Sequence, residues 1–397
     1  MRIAVIGAGI IGLATAEELV RRGHDVIVSD PEPANGASLA AAGMLAHAAE
    51  AVWGQDALIP LMVASSQRYP GFAARLAAAG GRTLGHRVDG TLSVGVDSAD
   101  RETLAALLDL QRAHGLPAER MTGSAARECE PALGPAVTSA VRTRADHQID
   151  PRLVTAALLS MLGGRVRRDR AVAVTSSDRG LTGILLASGE RIEAEAVVVA
   201  AGLGASGIDG VPPLPLRPVW GDILRLRVPE TLRPLLTRTV RAQVRGRPVY
   251  LVPRDDGTVV VGASVREGGV AGVHAGSVLA LLRDAETVVP GIAECEIIEM
   301  LARPRPGSPD AVPLIGLVGP GLLVSTGFDR HGVLLAPLAA EIGADLIERR
   351  PAPEGIVSAV DPRRFGHTPA GRLRASASWT PPAVAQPVAA SPKGPTR

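Results

Sequence analysis

Three glycines near the start of the chain have the spacing of a phosphate-binding turn. The run Gly7-Ala8-Gly9-Ile10-Ile11-Gly12 is a G-x-G-x-x-G pattern that follows an apolar strand pattern and opens a helical one. In that context the first glycine makes a tight turn, the second lets a pyrophosphate approach the backbone, and the third lets the helix pack on the strand. The helix N-terminus adds unpaired N–H groups and a positive dipole end. The pattern predicts an adenine dinucleotide, and a turn that binds nothing is the less favoured interpretation.

Asp30 ends the second strand pattern of the same unit, where its carboxylate would accept hydrogen bonds from ribose hydroxyls and repel a 2′-phosphate. The ligand is therefore predicted to be NAD or FAD. A nicotinamide domain would continue with alternating strands and helices. This chain instead inserts helices and a long antiparallel region before it returns to the apolar run AVVVAAG, which ends at Gly202. Since a flavin suits contacts from several distant segments, this order favours FAD.

A second group of ionisable side chains lies in the segment STGFDRHGVLLAP, at 325–337. Asp329, Arg330 and His331 stand between an apolar strand pattern and an apolar helix that follows Gly332. Such a notch is either an ordinary surface turn or part of an active site that uses helix-start amides and a positive charge. These residues by themselves leave both interpretations open.

The elements that must position these residues follow from hydrophobic periodicity. The chain begins with a strand–helix–strand unit, RIAVIG, IIGLATAEELVRRG and HDVIVSD, and a strand is predicted over 91–96. From 171 to 265 the texture is strand-rich, and the Asp256-Gly257 pair between apolar runs predicts a hairpin. A helix and a strand follow, in SVLALLRDAETVV and ECEIIEML. Three further helices are predicted over 56–79, 99–114 and 151–162.

Length and composition limit the class of protein. A chain of 397 residues suits two domains or one intricate domain. Its net charge of +2 and aromatic content of 2% give no support for nucleic-acid binding. Cys129 and Cys295 have no metal-like or disulfide-like spacing, so two buried or half-buried thiols and no metal site are expected. Glycines interrupt the apolar start, which argues against a targeting signal, and no run reaches the length of a membrane span. A cytoplasmic protein is the expectation.

Eight stretches in order make the chain resemble the FAD-dependent amine oxidases of the D-amino-acid oxidase superfamily, and within it the glycine oxidases of thiamine biosynthesis. The resemblance covers about 2–362. The matching stretches are GAGIIG, ASLAAAGMLAHAAE, DHQIDPRLVTAAL, AVVVAAG, RPVWGDIL, YLVPRDDGTVVVGAS, RPGSPDAVPLIG and GFDRHGVLLAP.

The resemblance implies an α/β (α+β) architecture of two domains and a homo-oligomer, a tetramer by analogy. An FAD-binding Rossmann-like domain is expected from 1–50, 145–215 and 302–365. A second, mostly antiparallel-sheet substrate domain is expected from 51–144 and 216–301. The Pro/Ala/Ser-rich tail at 368–397 is expected to be disordered.

The resemblance also implies which residues form the site. Arg305, on a predicted Pro-rich loop, would clamp a substrate carboxylate, and the Tyr250 hydroxyl would donate to the same group. The carbonyl of Arg330 would meet the substrate amine, while His331 is as readily a polar turn residue as a proton relay. FAD would be noncovalent, because neither cysteine lies in an attachment motif. The residues expected to hold it are Gly7, Gly9, Ile10, Ile11, Gly12, Asp30, Ala42, Gly43, Met44, Leu45, Val172, Ala201, Gly202, Arg330, His331, Gly332, Val333 and Leu334.

The activity implied is oxidation of a small amino acid by FAD and O2 to an imine, which hydrolyses to an oxo acid and ammonia, with H2O2 as the second product. The product could serve a thiazole-forming enzyme. Two departures from the family concern the pocket: a Phe-Asp-Arg-His-Gly turn replaces the common His-x-Arg-Asn-Gly, and Val265 stands where a longer apolar side chain is expected. Glycine, sarcosine and small D-amino acids therefore stay open as substrates. A dehydrogenase with another electron acceptor and a non-catalytic flavin-binding subunit are the alternatives.

Overall fold

The computed structural model describes residues 1–81, 83–178, 180–268, 271–351 and 354–366. Residues Met1–Arg364 form one unit with two large sheets; of a second unit, Phe365–Arg397, only 365 and 366 are described. The helices of the described residues are α1 Ile10–Arg21, α2 Ala37–Ala40, α3 Leu58–Gly80, α4 Ser98–Ala113, α5 Gly123–Cys129, α6 Pro151–Leu162, α7 Ala275–Val288, α8 Gly332–Ile347 and α9 Glu354–Val360.

The strands of the described residues are β1 Arg2–Ile6, β2 Asp25–Ser29, β3 Met44–Leu45, β4 Thr91–Gly95, β5 Glu119–Thr122, β6 Ser139–Thr143, β7 His147–Gln148, β8 Val166–Arg167, β9 Ala171–Ser177, β10 Gly180–Leu186, β11 Arg191–Glu193, β12 Ala196–Val199, β13 Arg217–Arg227, β14 Thr239–Val244, β15 Arg247–Pro253, β16 Thr258–Gly262, β17 Arg266–Glu267, β18 Glu296–Gly307, β19 Leu314–Gly319 and β20 Leu322–Thr326. The predicted strand–helix–strand start, the three further helices and the strand over 91–96 are therefore confirmed, with ends shifted by a few residues.

The first sheet is mostly parallel, has the strand order β19-β20-β12-β1-β2-β8, and is buried on both faces. β1 pairs in parallel with β12 and β2, and only β19 runs antiparallel to its neighbour. β1 and β12 are continuous apolar runs because both of their faces are buried. α1 crosses from β1 to β2 and lies against α8, so the start and the end of the unit share one core.

The second sheet has nine strands in the order β17-β13-β16-β15-β14-β4-β6-β5, with β18 paired to β13. The predicted hairpin at Asp256-Gly257 is present, since β15 and β16 pair antiparallel across it. The expectation that Arg305 lies on a loop is wrong. β18 runs through Arg305 to Gly307, and Arg305 pairs with Val219 of β13. Pro304 and Pro306 are accommodated because β18 is an edge strand, where a missing N–H costs no ladder bond.

The strands of the two large sheets come from different parts of the sequence. The parallel sheet is built from 2–29, 166–199 and 314–326, and the nine-stranded sheet from 91–143 and 217–307. β18 crosses the expected boundary at 301/302, and the division into two domains stays a prediction. The disordered tail predicted at 368–397 lies outside the described residues. Both thiols are free and half-buried, as expected. Within the part of the chain described, none of the helices has the length and apolar character to cross a bilayer.

An ion cluster ties α1 to α8. The Arg22 side chain is 11% exposed, and its nitrogens lie 2.7 Å from Glu18, 2.6 Å from Asp345 and 2.7 Å from Glu348. Burial opposes the charge on Arg22, but hydrogen bonds to the three carboxylates raise its pKa above the ordinary range. Arg22 is the partner that all three carboxylates share at the junction of the two helices, although Glu18 also bonds Arg21 and Glu348 also bonds His24.

We expect Arg22→Leu to lower the free energy of unfolding by about 2–4 kcal/mol, because it leaves the three carboxylates without their shared partner in a half-buried site. Arg21→Leu is the control: Arg21 bonds the same Glu18 but is 51% exposed, so its loss should cost about 0–1 kcal/mol. Equilibrium urea unfolding of FAD-saturated protein measures both. Equal effects for the two variants would contradict the assignment of the helix junction to Arg22.

Candidate functional site

The glycine turn has the geometry that its spacing predicts. Gly7 has φ +106°, and a Cβ there would stand 2.5 Å from the carbonyl oxygen of Ala200. A Cβ on Gly12 would overlap the carbonyl oxygen of Gly7, so the close approach of α1 to the turn requires glycine. A Cβ on Gly9 would meet only Ser38 Oγ, at 3.4 Å. Protein packing therefore does not require glycine at position 9, whereas a pyrophosphate against the backbone would, and the turn fits a dinucleotide.

Asp30 lies directly beside this turn at the end of β2. One oxygen of its carboxylate accepts from the N–H of Ala8 at 2.7 Å, and the other accepts from the N–H of Glu32 at 2.8 Å. Ser38 Oγ accepts from the N–H of Ile10 at 3.0 Å on the opposite side of the helix start. Asp30 thus holds the glycine turn as well as lying where the ribose contact is predicted.

The segment Ala42–Leu45 is held from two sides. β3 pairs with β7, with Met44 opposite Gln148, and a Cβ on Gly43 would stand 2.7 Å from Pro151 Cδ. The Arg254 guanidinium donates to the carbonyl oxygen of Ala42 and, at 3.0 Å, to that of Ile149. Burial lowers the pKa of Arg254 to about 10, so a buried cation fixes this backbone.

The other residues expected to hold FAD in the middle of the chain lie at the end of the parallel sheet or on the small sheet beside it. Ala201 and Gly202 follow β12, and the carbonyl oxygen of Gly202 accepts from Thr326 Oγ1 at 3.1 Å. Val172 lies on β9, where its carbonyl oxygen accepts from the N–H of Asp209 at 3.0 Å. The structure thus places Ala201 and Gly202 at the edge where ligands of parallel sheets bind.

Tyr250 and Arg305 each lie against a glycine of the nine-stranded sheet. Tyr250 on β15 is paired with Gly262 of β16, and a Cβ on Gly262 would stand 2.5 Å from the ring carbon Cζ of Tyr250. The Arg305 guanidinium lies on Gly221 of β13, where a Cβ would stand 2.6 Å from its Cζ. Burial raises the pKa of the Tyr250 hydroxyl, and the nearby charge of Arg305 opposes that rise. The two side chains therefore lie within electrostatic reach of each other, and their binding of one substrate carboxylate stays a prediction.

A buried carboxylate supports the backbone next to Arg305. Asp222 is fully buried and accepts from the Ser264 hydroxyl, from Arg266 Nε at 3.0 Å and from the N–H of His274 at 3.2 Å. Ser264 Oγ in turn accepts a hydrogen bond from the backbone N–H of Asp222 at 2.8 Å. The backbone carbonyl oxygen of Ser264 lies 3.5 Å from Arg305 Nη1. Burial opposes ionisation of Asp222, but the hydrogen bonds from Arg266 and Ser264 hold its pKa below the ordinary value. Val265, which follows Ser264, is 67% exposed.

The turn before α8 combines an exposed cation with a buried imidazole. Asp329 has φ +45°, Arg330 is exposed, and His331 is 1% exposed at the N-cap of α8 without a side-chain cap. The first helical residues Gly332, Val333 and Leu334 therefore present backbone N–H groups at the helix start. His331 Nε2 accepts from Arg330 Nε at 3.0 Å, and its Nδ1 lies 3.8 Å from Glu50.

The surroundings of His331 and Glu50 determine the charge that each side chain carries. Burial lowers the pKa of His331 to about 4, with Arg330 and Arg241 acting in the same direction. Burial raises the pKa of Glu50, but Arg241, whose Nη1 donates to it at 2.8 Å, and Arg330 outweigh that and lower it. At neutral pH, Glu50 is ionised and His331 is neutral.

Some functional candidates were missed by sequence reasoning although they stood inside the matching stretches. Gly221 and Asp222 lie in RPVWGDIL, Gly262 and Ser264 in YLVPRDDGTVVVGAS, and Glu50 ends ASLAAAGMLAHAAE. Their types carry no signal on their own, because glycine, serine and a single carboxylate occur in many strands and turns. Only their contacts with Arg305, Tyr250 and His331 distinguish them.

Comparisons with known proteins identify the family of this chain. The family described as FAD dependent oxidoreductase matches residues 2–346. A glycine oxidase of Geobacillus kaustophilus is 31% identical over 358 residues, which are 88% of this chain and 93% of that protein. A solved structure of glycine oxidase from the same species superposes with a TM-score of 0.81 at 30% identity and covers 88% of this chain and 96% of that one.

Two further relatives differ in length. The bifunctional protein ThiO/ThiG of Nostoc sp. is 31% identical over 87% of this chain, which spans 52% of that protein. A Rhizobium etli protein whose name places it in thiamine biosynthesis is 31% identical over 89% of this chain and 99% of its own length.

We expect Gly9→Ala to weaken FAD binding by about tenfold or more, roughly 1.4 kcal/mol, while the fold is kept. The added Cβ has only Ser38 Oγ within 4 Å, so it would stand where the phosphates are predicted to approach. Gly71→Ala in α3 is the control, because a Cβ there meets nothing within 4 Å. Titration of the apoprotein with FAD measures both affinities. Equal affinity in the Gly9 variant would contradict the predicted pyrophosphate site.

Proposed function

Because this chain belongs to the family of FAD-dependent oxidoreductases, we propose that it catalyses the oxidative deamination of glycine. Glycine, O2 and water would give glyoxylate, ammonia and H2O2. The relatives named as glycine oxidases support the substrate, and they do not favour the alternatives of a dehydrogenase or of a non-catalytic flavin-binding subunit. Sarcosine and small D-amino acids stay as possible further substrates of the proposed activity.

The proposal rests on the positions of Arg305 and Tyr250, because each side chain lies against a glycine of the nine-stranded sheet. A guanidinium offers two parallel N–H donors to a carboxylate, and a phenol adds a third donor at the same end. A tyrosine is protonated at neutral pH, and burial raises the pKa of Tyr250 further, so its hydroxyl can donate. The pair would bind the substrate carboxylate and fix the position of the Cα.

The residues expected to hold FAD come from other segments than this pair. The turn Gly7–Gly12 and Asp30 would hold the pyrophosphate and ribose, and Ala42–Leu45, Val172, Ala201 and Gly202 would line the cofactor further along. When bound, FAD supplies the two-electron acceptor and passes the electrons to O2. The N–H groups of Gly332, Val333 and Leu334 at the start of α8 offer positive partial charge, which stabilises negative charge placed there.

Arg330 would act through its backbone. Its carbonyl is proposed to accept from the substrate amine, while Arg305 holds the carboxylate, so the two contacts fix both ends of glycine. His331 and Asp329 complete the turn that presents this carbonyl.

The fused ThiO/ThiG relatives and the relative named for thiamine biosynthesis support a role in that pathway. We propose that the imine or glyoxylate product serves a thiazole-forming partner. A homotetramer and a cytoplasmic location stay predictions.

The direct test is an anaerobic spectrum of the FAD-loaded protein. Glycine should bleach the visible flavin band, and admitting air should restore it and yield H2O2. Bleaching without peroxide on air would support the dehydrogenase alternative. A band that persists with glycine, sarcosine and D-alanine would overturn the proposed activity and leave the flavoprotein fold intact.

We expect Gly221→Ala to raise the KM for glycine by about tenfold or more, roughly 1.4 kcal/mol of lost binding. Its Cβ would occupy the position of the Arg305 guanidinium and displace it, while Tyr250 and the FAD segments are untouched. The control is Gly276→Ala in α7, where a Cβ has open space. Steady-state kinetics with parallel FAD titration measure the effect. An unchanged KM would show that Arg305 is not the carboxylate clamp.

A further inference from the structure

A chain of polar groups crosses the interior behind Tyr250 and ends at Arg330. Arg241 Nη1 donates to Glu50 Oε1 at 2.8 Å, Glu50 Oε2 lies 3.8 Å from His331 Nδ1, and His331 Nε2 accepts from Arg330 Nε at 3.0 Å. Arg330 Nη2 lies 3.4 Å from Gln55 Oε1 at the surface. Glu50 and His331 are 6% and 1% exposed, so the centre of the chain excludes water.

The protonation of the centre follows from its contacts. The Nε–H of Arg330 needs a lone pair on His331 Nε2, so the proton of the neutral imidazole must sit on Nδ1. Nδ1 is buried and has no hydrogen bond within range, and its nearest acceptor is the Glu50 carboxylate. The imidazole is therefore oriented by one hydrogen bond, from Arg330 Nε to Nε2, and its Nδ1 faces the Glu50 carboxylate at 3.8 Å, beyond hydrogen-bond distance.

This row of polar groups joins three segments of the protein that the proposed reaction requires in one place. Arg241 lies on β14 directly opposite Tyr250 of β15, Glu50 ends the segment that contains Met44 and Leu45, and His331 caps α8. Arg241 Nη1 also contacts Met44 Sδ at 3.7 Å. Among the described residues, the exposed Arg330 side chain reaches these buried groups through its hydrogen bond to His331 Nε2.

We propose that His331 and Glu50 are positioning residues that hold the Arg330 turn in register with Tyr250 for oxidation of the amino acid. The proposal rests on the proposed function. His331 holds the Arg330 side chain through the hydrogen bond from Arg330 Nε, and so fixes the backbone whose carbonyl is proposed to receive the substrate amine. Glu50 bonds Arg241 and places its negative charge 3.8 Å from the buried Nδ1 of His331, and so links the turn to the strand beside Tyr250.

Kinetics separate positioning from packing. We expect His331→Leu to lower the rate of anaerobic flavin reduction by glycine about tenfold or more, with KM changed less than about threefold, because Arg305 still binds the carboxylate while the amine loses its fixed partner. His331→Gln keeps an acceptor near the position of Nε2 and should recover most of the rate. Glu50→Gln, which keeps shape and loses charge, should lower the rate in the same direction and serves if the leucine variant does not fold.

A second histidine provides the matched control. His24 Nε2 bonds Glu348 at 3.0 Å beside Arg22, a half-buried contact of histidine with glutamate and arginine that lies outside the site. His24→Leu should leave the rate of flavin reduction and KM unchanged. Wild-type rates in both His331→Leu and Glu50→Gln would overturn the proposal, and so would a loss in His331→Leu that the glutamine variant does not relieve.

A readout that needs no turnover tests the same contacts. Nitrogen-15 NMR of labelled histidine in the FAD-loaded protein should show His331 neutral at pH 7 with its proton on Nδ1, and Arg330→Met should remove that tautomer preference. A charged imidazole or a proton on Nε2 would overturn the proposal. If glycine leaves the wild type unreduced while the tautomer is as expected and depends on Arg330, the proposed function fails and the positioning of Arg330 by His331 stands.

Discussion

A guanidinium lying against a strand backbone is the constraint on which the candidate site depends. Arg305 can occupy its position only because Gly221 has no side chain, and Gly221 can lie there only because β13 and β18 pair through that point. The long pairing of β13 with β18 is thus also what aims the cation. Asp222, the next residue, is buried and bonds Ser264, whose carbonyl borders the same guanidinium. β13 therefore supplies both Gly221, against which the guanidinium lies, and Asp222, which supports the neighbouring backbone.

The same device recurs on the cofactor side. Gly9 leaves backbone accessible at the start of α1, Gly12 lets α1 approach the turn, and Gly262 makes room for the Tyr250 ring. In each case the fold gives up side-chain packing to bring backbone or a long polar side chain close. Glycine in a strand or helix interior costs stability. This loss of stability is expected where a ligand or its binding group must approach the backbone, which supports the prediction that these glycines belong to the candidate site.

The sequence predicts the local parts of this arrangement and misses the long-range ones. The turn at Gly7–Gly12, the hairpin at Asp256-Gly257 and the helix after Gly332 are set by spacing and periodicity over a few residues, and the structure contains all three. Arg305 was expected on a loop because Pro304 and Pro306 flank it. An edge strand tolerates such prolines, and edge position is a property of the sheet rather than of the local sequence.

The pairing of Glu50 with Arg241 and His331 shows why the rest was out of reach. These residues are separated by 191 and by more than 250 positions along the chain, so no local pattern links them. Burial of an ionised carboxylate is tolerable only with partners in place, and removing one partner of such a group is strongly destabilising. Contacts between distant parts of the chain therefore bring together the charged groups of the candidate site. A change of fold that separated these groups would cost free energy. A ligand bound there would favour the same assembled state, since binding to the native state alone adds to its stability. The same buried contacts therefore determine the geometry of the candidate site and contribute to the stability of the fold.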